Sequence, residues 1–112
     1  STDRRKRSQS VLAVHIDCTD DSKADELREW YTAKHVPEVV ALGIYHTGSF
    51  NELVRTDAFA EPTANQPRFL ALSESDIGDP SFLASQLVKA FPDVLPDYVQ
   101  YRYASNFYRA SP

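Results

Sequence analysis

The chain holds one cysteine, Cys18, three glycines and no methionine among its 112 residues. A single thiol closes no intramolecular disulfide and builds no cysteine cage for zinc, which excludes the disulfide scaffolds of small secreted proteins and the zinc fingers. Gly43, Gly48 and Gly78 are too scattered to cradle a phosphate, so P-loop and dinucleotide fingerprints are absent. A Gly-x-Ser-x-Gly nucleophile elbow is absent too. No apolar run reaches the roughly 18 residues of a membrane helix, and STDRRKRSQS lacks the apolar core of a signal peptide. The expectation is a cytoplasmic domain with no membrane partner.

What is present is ordinary in amount and uneven in charge. Hydrophobic residues make up 42% and charged residues 25% of the chain, values of a globular domain. Residues 1–10 set Arg4, Arg5, Lys6 and Arg7 against Asp3 for a net +3, so residues 11–112 carry −7 of the overall −4. An acidic body repels phosphate backbones and argues against nucleic acid as a partner. Residues 1–10 read as a mobile basic tail and residues 11–112 as a single domain.

Along that domain, Val11–Cys18 has the length and β-branched composition of a strand, followed by the capping cluster Thr19-Asp20-Asp21-Ser22. A helix follows through Leu27, Trp30, Tyr31 and Lys34. Pro37 should end or kink it around His35, because proline lacks an amide donor and collides with the preceding turn. Gly43 is a plausible stop. Ile44–Val54 resumes extended character with Gly48 as a candidate bulge. Arg55–Pro67 reads as a long loop, and Arg68–Glu74 as a third strand. Asp79-Pro80-Ser81 opens a second helix through Phe82, Leu83, Leu87 and Phe91, and Tyr98–Tyr108 is a fourth strand.

The order is β-α-β-β-α-β, the α+β ferredoxin-like plan of an antiparallel sheet with both helices on one face. Leu12, Val14 and Ile16 alternate with Val11, Ala13, His15 and Asp17. In the last strand Val99, Tyr101 and Tyr103 oppose Tyr98, Gln100 and Arg102. Neither face is plainly made for water, so the uncovered one is expected to meet a second copy in a homodimer.

Three histidines carry the candidate chemistry. His35 lies at the edge of the apolar helix face, just before the proline and near Glu38. It can act as a general acid or base, or merely cap the carbonyls that Pro37 frees. His15 shares a strand face with Asp17, which makes an acid/base pair if that face lines a cleft and an interfacial pair if it meets a partner. His46, beside Tyr45, reads as a partly exposed strand residue. The spacing of His15, His35 and His46, with Asp17, matches no metal-ligand rhythm, so no metal site is expected. Cys18 reads as a structural thiol. Trp30, Tyr31, Phe69, Phe82, Phe91, Tyr101 and Tyr103 are core residues by default, or walls of a pocket for a flat substrate.

The segment Glu29-Trp30-Tyr31-x-x-x-His35-x-Pro37-Glu38, followed by a glycine and a strand, resembles the EthD-like group of the dimeric α+β-barrel superfamily. Leu42-Gly43 stands where that group usually has proline-glycine. The resemblance implies a ferredoxin-like monomer paired into a barrel, with a cleft in each subunit for a small aromatic or polyketide-derived molecule. It implies His35 as the residue facing that cleft. Haem is not expected, because Ser81–Phe91 offers no histidine, and no other cofactor is expected.

On this reading the protein is a cofactor-independent lyase, cyclase or isomerase. His35 is the general acid/base, with His15 as a further catalytic candidate. Tyr31, with one or two of Tyr45, Tyr101 and Tyr103, donates to a developing oxyanion, and Trp30 and Phe69 wall the pocket. The alternatives are a cofactor-free monooxygenase and a non-catalytic small-molecule-binding accessory protein.

Overall fold

A computed structural model describes residues 8–54, 66–91 and 94–109 of the chain. Strand β1 (Ser10–Cys18) is followed by a 3-10 turn at Asp21–Lys23 and helix α1 (Ala24–Trp30). A π-helical turn, Tyr31–His35, joins α1 directly to α2 (Val36–Ala41). Then come β2 (Thr47–Glu52), β3 (Phe69–Ser75), α3 (Pro80–Gln86) with a 3-10 turn at Leu87–Ala90, and β4 (Val99–Tyr108). The four strands lie in the order β2-β3-β1-β4, every neighbouring pair antiparallel. The described residues thus form a small α+β fold around one antiparallel sheet.

Local chemistry explains most boundaries. Asp20 Oδ1 accepts from the Ser22 amide at 3.0 Å and the Ser22 hydroxyl at 2.7 Å, capping the first turn. Asp79 Oδ1 does the same for α3, accepting from the amides of Ser81 and Phe82. Gly43 stops α2 with φ at +81°, a conformation only glycine adopts without strain. Its amide donates back to Val40 O at 3.1 Å.

Several expectations change. The helix does not end at His35. The Val36 amide reaches back to Tyr31 O, five residues away, and the widened turn carries the chain past Pro37, which sits in the first turn of α2. Gly48 is no bulge: it pairs regularly with Ser73, and a β-carbon there would lie 2.8 Å from Val36 Cγ1. Its bare backbone is what lets α2 lie close on the sheet. Strand β2 starts at Thr47 rather than Ile44. Ser8, Gln9 and Ser10, assigned to the tail, join the fold instead. The Gln9 amide donates to Ser75 O, Gln9 O accepts from the Arg109 amide, and Ser10 begins β1. Most of the expected long loop, residues 55–65, lies outside the described residues, as do residues 1–7.

A bulge sits where none was expected. The β1–β4 register shifts between His15 and Ile16, so Ile16 pairs with Tyr101 and His15 with Tyr103, leaving Arg102 as the extra residue. Tyr101 and Tyr103 therefore face opposite sides of the sheet, not the same side. The helix-covered side holds the core of Leu12, Val14, Ile16, Leu27, Tyr31, Val39, Phe69, Ala71 and Val99, with Tyr101 packed against it.

Candidate functional site

The alternation of β1 and β3 sends Leu12, Val14, Ala71 and Ser73 under the helices, and the widened turn brings Tyr31 and His35 down onto them. With Val36, Val39, Phe91 and Tyr101 these side chains enclose a cavity between helix and sheet. Its volume is about 20 Å³, room for about one water molecule. The walls are mostly hydrocarbon, and the polar groups within are few and specific.

His35 is 3% exposed and Tyr31 is 4% exposed. The His35 ring lies parallel to Trp30, centroids 5.2 Å apart at 3°, and edge-on to Tyr31 at 4.8 Å. Glu38 Oε2 stands 3.9 Å from His35 Nδ1. The Tyr31 and Tyr101 hydroxyl oxygens are 3.5 Å apart, at the outer limit of a hydrogen bond. Two hydroxyls so loosely joined can both turn toward a shared acceptor. Burial pushes the Tyr31 phenol far above its ordinary range, and the neighbouring Tyr101 adds to this. Burial also raises Tyr101, against its contact with Tyr31. Both therefore stay protonated, and available as donors, at any physiological pH.

Behind the cavity the aromatic chain continues. Tyr31 stacks on Phe50 at 4.5 Å and Phe50 on Phe69 at 5.1 Å. Arg28 and Arg68 cover Phe69 at 5.7 and 5.1 Å. Glu52 joins the two arginines: Arg28 Nε and Nη2 donate to it at 3.0 and 2.9 Å, and Arg68 Nε at 2.9 Å. This network fixes the last turn of α1 to the β2–β3 edge, and so the approach of the helical segment that carries His35.

The expected site residues divide. The structure brings Tyr31, His35, Trp30 and Tyr101 together. Phe69 supports that group two rings away. His15 and Tyr103 lie on the opposite face, stacked on each other at 4.2 Å and 25°. There, with Asn51, Leu53, Arg68 and Leu70, they line an open cleft of about 250 Å³. Asp17, which was to pair with His15, instead accepts from Arg102 Nη1 at 2.7 Å and from the Arg68 amide at 3.0 Å. Tyr45 is 1% exposed, belongs to the core and touches neither cavity nor cleft. His46 lies beside Glu74, whose carboxylate the Ser8 and Thr47 hydroxyls hold below the usual range. The residues missed are Ser73, Val36 and Phe50. The alternation Phe69–Ala71–Ser73 carried the signal for Ser73, and Gly48–Phe50 that for Phe50.

Among the described residues no group of three or more His, Cys, Asp or Glu side chains is arranged to hold a metal ion. No helix among them is long and apolar enough to cross a membrane. No family model matches the chain, and neither a curated protein nor a solved structure matches it significantly.

Proposed function

We propose that the protein is a cofactor-independent enzyme of the EthD-like, ferredoxin-like type, using His35 for acid/base chemistry on a small aromatic or polyketide-derived molecule. The observation that carries this reading is one buried imidazole and a pair of neutral phenols sharing one apolar cavity. Neutral His35 takes a proton from carbon next to a carbonyl. The enolate oxygen then receives hydrogen bonds from Tyr31 and Tyr101, worth most where water is excluded. The same imidazolium returns its proton to a leaving hydroxide in a cyclisation with loss of water, or to carbon in an isomerisation. In a decarboxylation His35 instead takes the proton of the substrate's carboxyl group, the C–CO2 bond breaks to leave the enolate, and the imidazolium delivers that proton to carbon. A cavity with room for about one water has to open for such a ligand. Among the described residues, Phe91, edge-on to Tyr101 at 5.1 Å, is the one wall residue contributed by the α3 arm.

The uncovered sheet face supports the homodimer. Phe107 on it is 60% exposed and Tyr103 54% exposed, beside Val11, Leu70 and Leu72. Sedimentation should give a dimer for the wild type and a monomer for Phe107→Glu. A wild-type monomer at high concentration would remove that part of the reading.

A second reading rests on the larger cleft. At about 250 Å³, the space beside His15 and Tyr103 is more roomy than the cavity, and it suits a binder that never changes its ligand. The test is a thermal-shift screen of wild type and His35→Ala against phenols, anthrones and small polyketide acids, followed by turnover of every hit. A ligand at ~100 times its dissociation constant adds about 2.7 kcal/mol to stability. Loss of His35 should weaken the shift and lower turnover by about 10²-fold or more. Equal shifts without turnover would favour the binder. Product formation that consumes oxygen would make the protein a monooxygenase.

A further inference from the structure

The contact between Trp30 and His35 is unusual for its spacing. In a regular α-helix each residue advances about 100°, so residues five apart point about 140° away from each other. Trp30 and His35 are five apart, yet their rings are parallel to within 3° at 5.2 Å. The π-helical turn makes this possible. It runs from Tyr31 to His35 and is closed by the bond from the Val36 amide to Tyr31 O, so one extra residue enters the turn and ring 35 comes back over ring 30.

Pro37 stands two residues after that turn. In a regular helix its nitrogen would owe a hydrogen bond to Ala33 O, and its ring would collide with that same oxygen. Widening the preceding turn moves the carbonyl aside and lets the helix continue to Ala41. We propose that Pro37 is a positioning residue: by holding the wide turn open it lays the His35 imidazole flat on Trp30 and turns it into the cavity. The proposal rests on His35 being the acid/base group, but the geometry it claims can be read without any substrate.

Trp30 is the only tryptophan in the chain, so its fluorescence reports on His35 alone among the histidines it touches. An imidazolium in face contact with an indole quenches it. Glu38, on the same helix, is a charged group near His35; the sheet residues described around the cavity are neutral, with Tyr31 and Tyr101 as its phenols. Emission of the full chain should be followed from pH 4 to 9 in wild type, His35→Ala, Pro37→Ala and Pro37→Ser. The wild type should show a step that His35→Ala abolishes, which subtracts Glu38 and every other group. Pro37→Ala restores the amide donor and is the better helix former, so the turn should close to an ordinary α-helix. The step should then shrink at least threefold, and Pro37→Ser should behave alike if the alanine variant folds poorly. A Pro37 variant that keeps the wild-type step in size and midpoint overturns the proposal, and so does a wild type with no His35-dependent step. If the step behaves as expected while His35→Ala leaves turnover unchanged, the positioning stands and the acid/base role of His35 falls.

Discussion

Two histidines lie against aromatic rings on opposite sides of one sheet, and their surroundings differ in almost every respect. His35 is sealed between Trp30 and the cavity wall at 3% exposure. His15 lies on Tyr103, which is 54% exposed, next to a carboxylate already committed to two arginines' worth of donors. The residue type and the ring contact are shared. Burial and the neighbouring phenols are not, and those are what can turn an imidazole into a base acting on carbon in a dry site. The sheet thus separates an enclosed side from an open one.

The largest test of that separation is mechanical. Phe69→Ala removes a fully buried ring beneath Phe50, Arg28 and Arg68, and should cost about 3–5 kcal/mol in denaturant unfolding. Leu72→Ala, on the open side, should cost less than half as much and should depend on protein concentration if that side binds a second copy. Equal, concentration-independent losses would mean that both sides are ordinary core. In activity, His35→Ala should lower turnover by about 10²-fold while His15→Ala stays within about threefold of wild type. Reversal of that order would move the site to the open cleft.

How far this could be seen in advance depended on the range of the forces involved. The alternation of Leu12, Val14 and Ile16 with Val11, Ala13 and His15, the Asp79 cap and the Gly43 stop are local rules, and each is legible along the chain. So was the apolar placement of Tyr31 and His35 four residues apart. The Arg102 bulge is different. Nothing in Tyr101-Arg102-Tyr103 announces it, because it comes from matching β4 to β1 across the sheet, where Arg102 finds Asp17 at 2.7 Å. It sends Tyr101 to the cavity and Tyr103 to the open side. The wide turn before Pro37 was half legible: proline signals a broken ladder, but whether the helix stops, bends or widens is decided by what the helix rests on, here Gly48.

A smaller effect should appear in acid. Glu52 is held below the usual carboxylate range, first by the Arg28 hydrogen bond and then by Arg68, against the opposing effect of burial. A carboxyl lowered in the folded state stabilises it above the unfolded value of about 4.3 and loses that contribution as pH falls through the lower, folded value. Stability should therefore decline below about pH 4.3, and Glu52→Gln should start lower at neutral pH and decline less steeply. An unchanged acid slope in Glu52→Gln would place the acid sensitivity elsewhere, with Glu74 next in line because Ser8 and Thr47 lower it in the same way.

The smallest effect carries an unusual sign. Tyr45 is 1% exposed, and its hydroxyl is buried without a hydrogen-bond partner, a condition that usually costs about 1–3 kcal/mol. Burial first, and Tyr108 second, raise its phenol above the ordinary range. Tyr45→Phe removes that hydroxyl and keeps the ring in the core, so the variant should be as stable as wild type or more stable by up to about 1 kcal/mol. Turnover should not change, because the ring lies outside the cavity. Tyr31→Phe is the matched case: its hydroxyl faces Tyr101 in the cavity, so it should lose turnover while keeping the fold. A Tyr45→Phe that lost activity with Tyr31→Phe untouched would show that phenol burial alone, without a cavity to face, had been mistaken for a site.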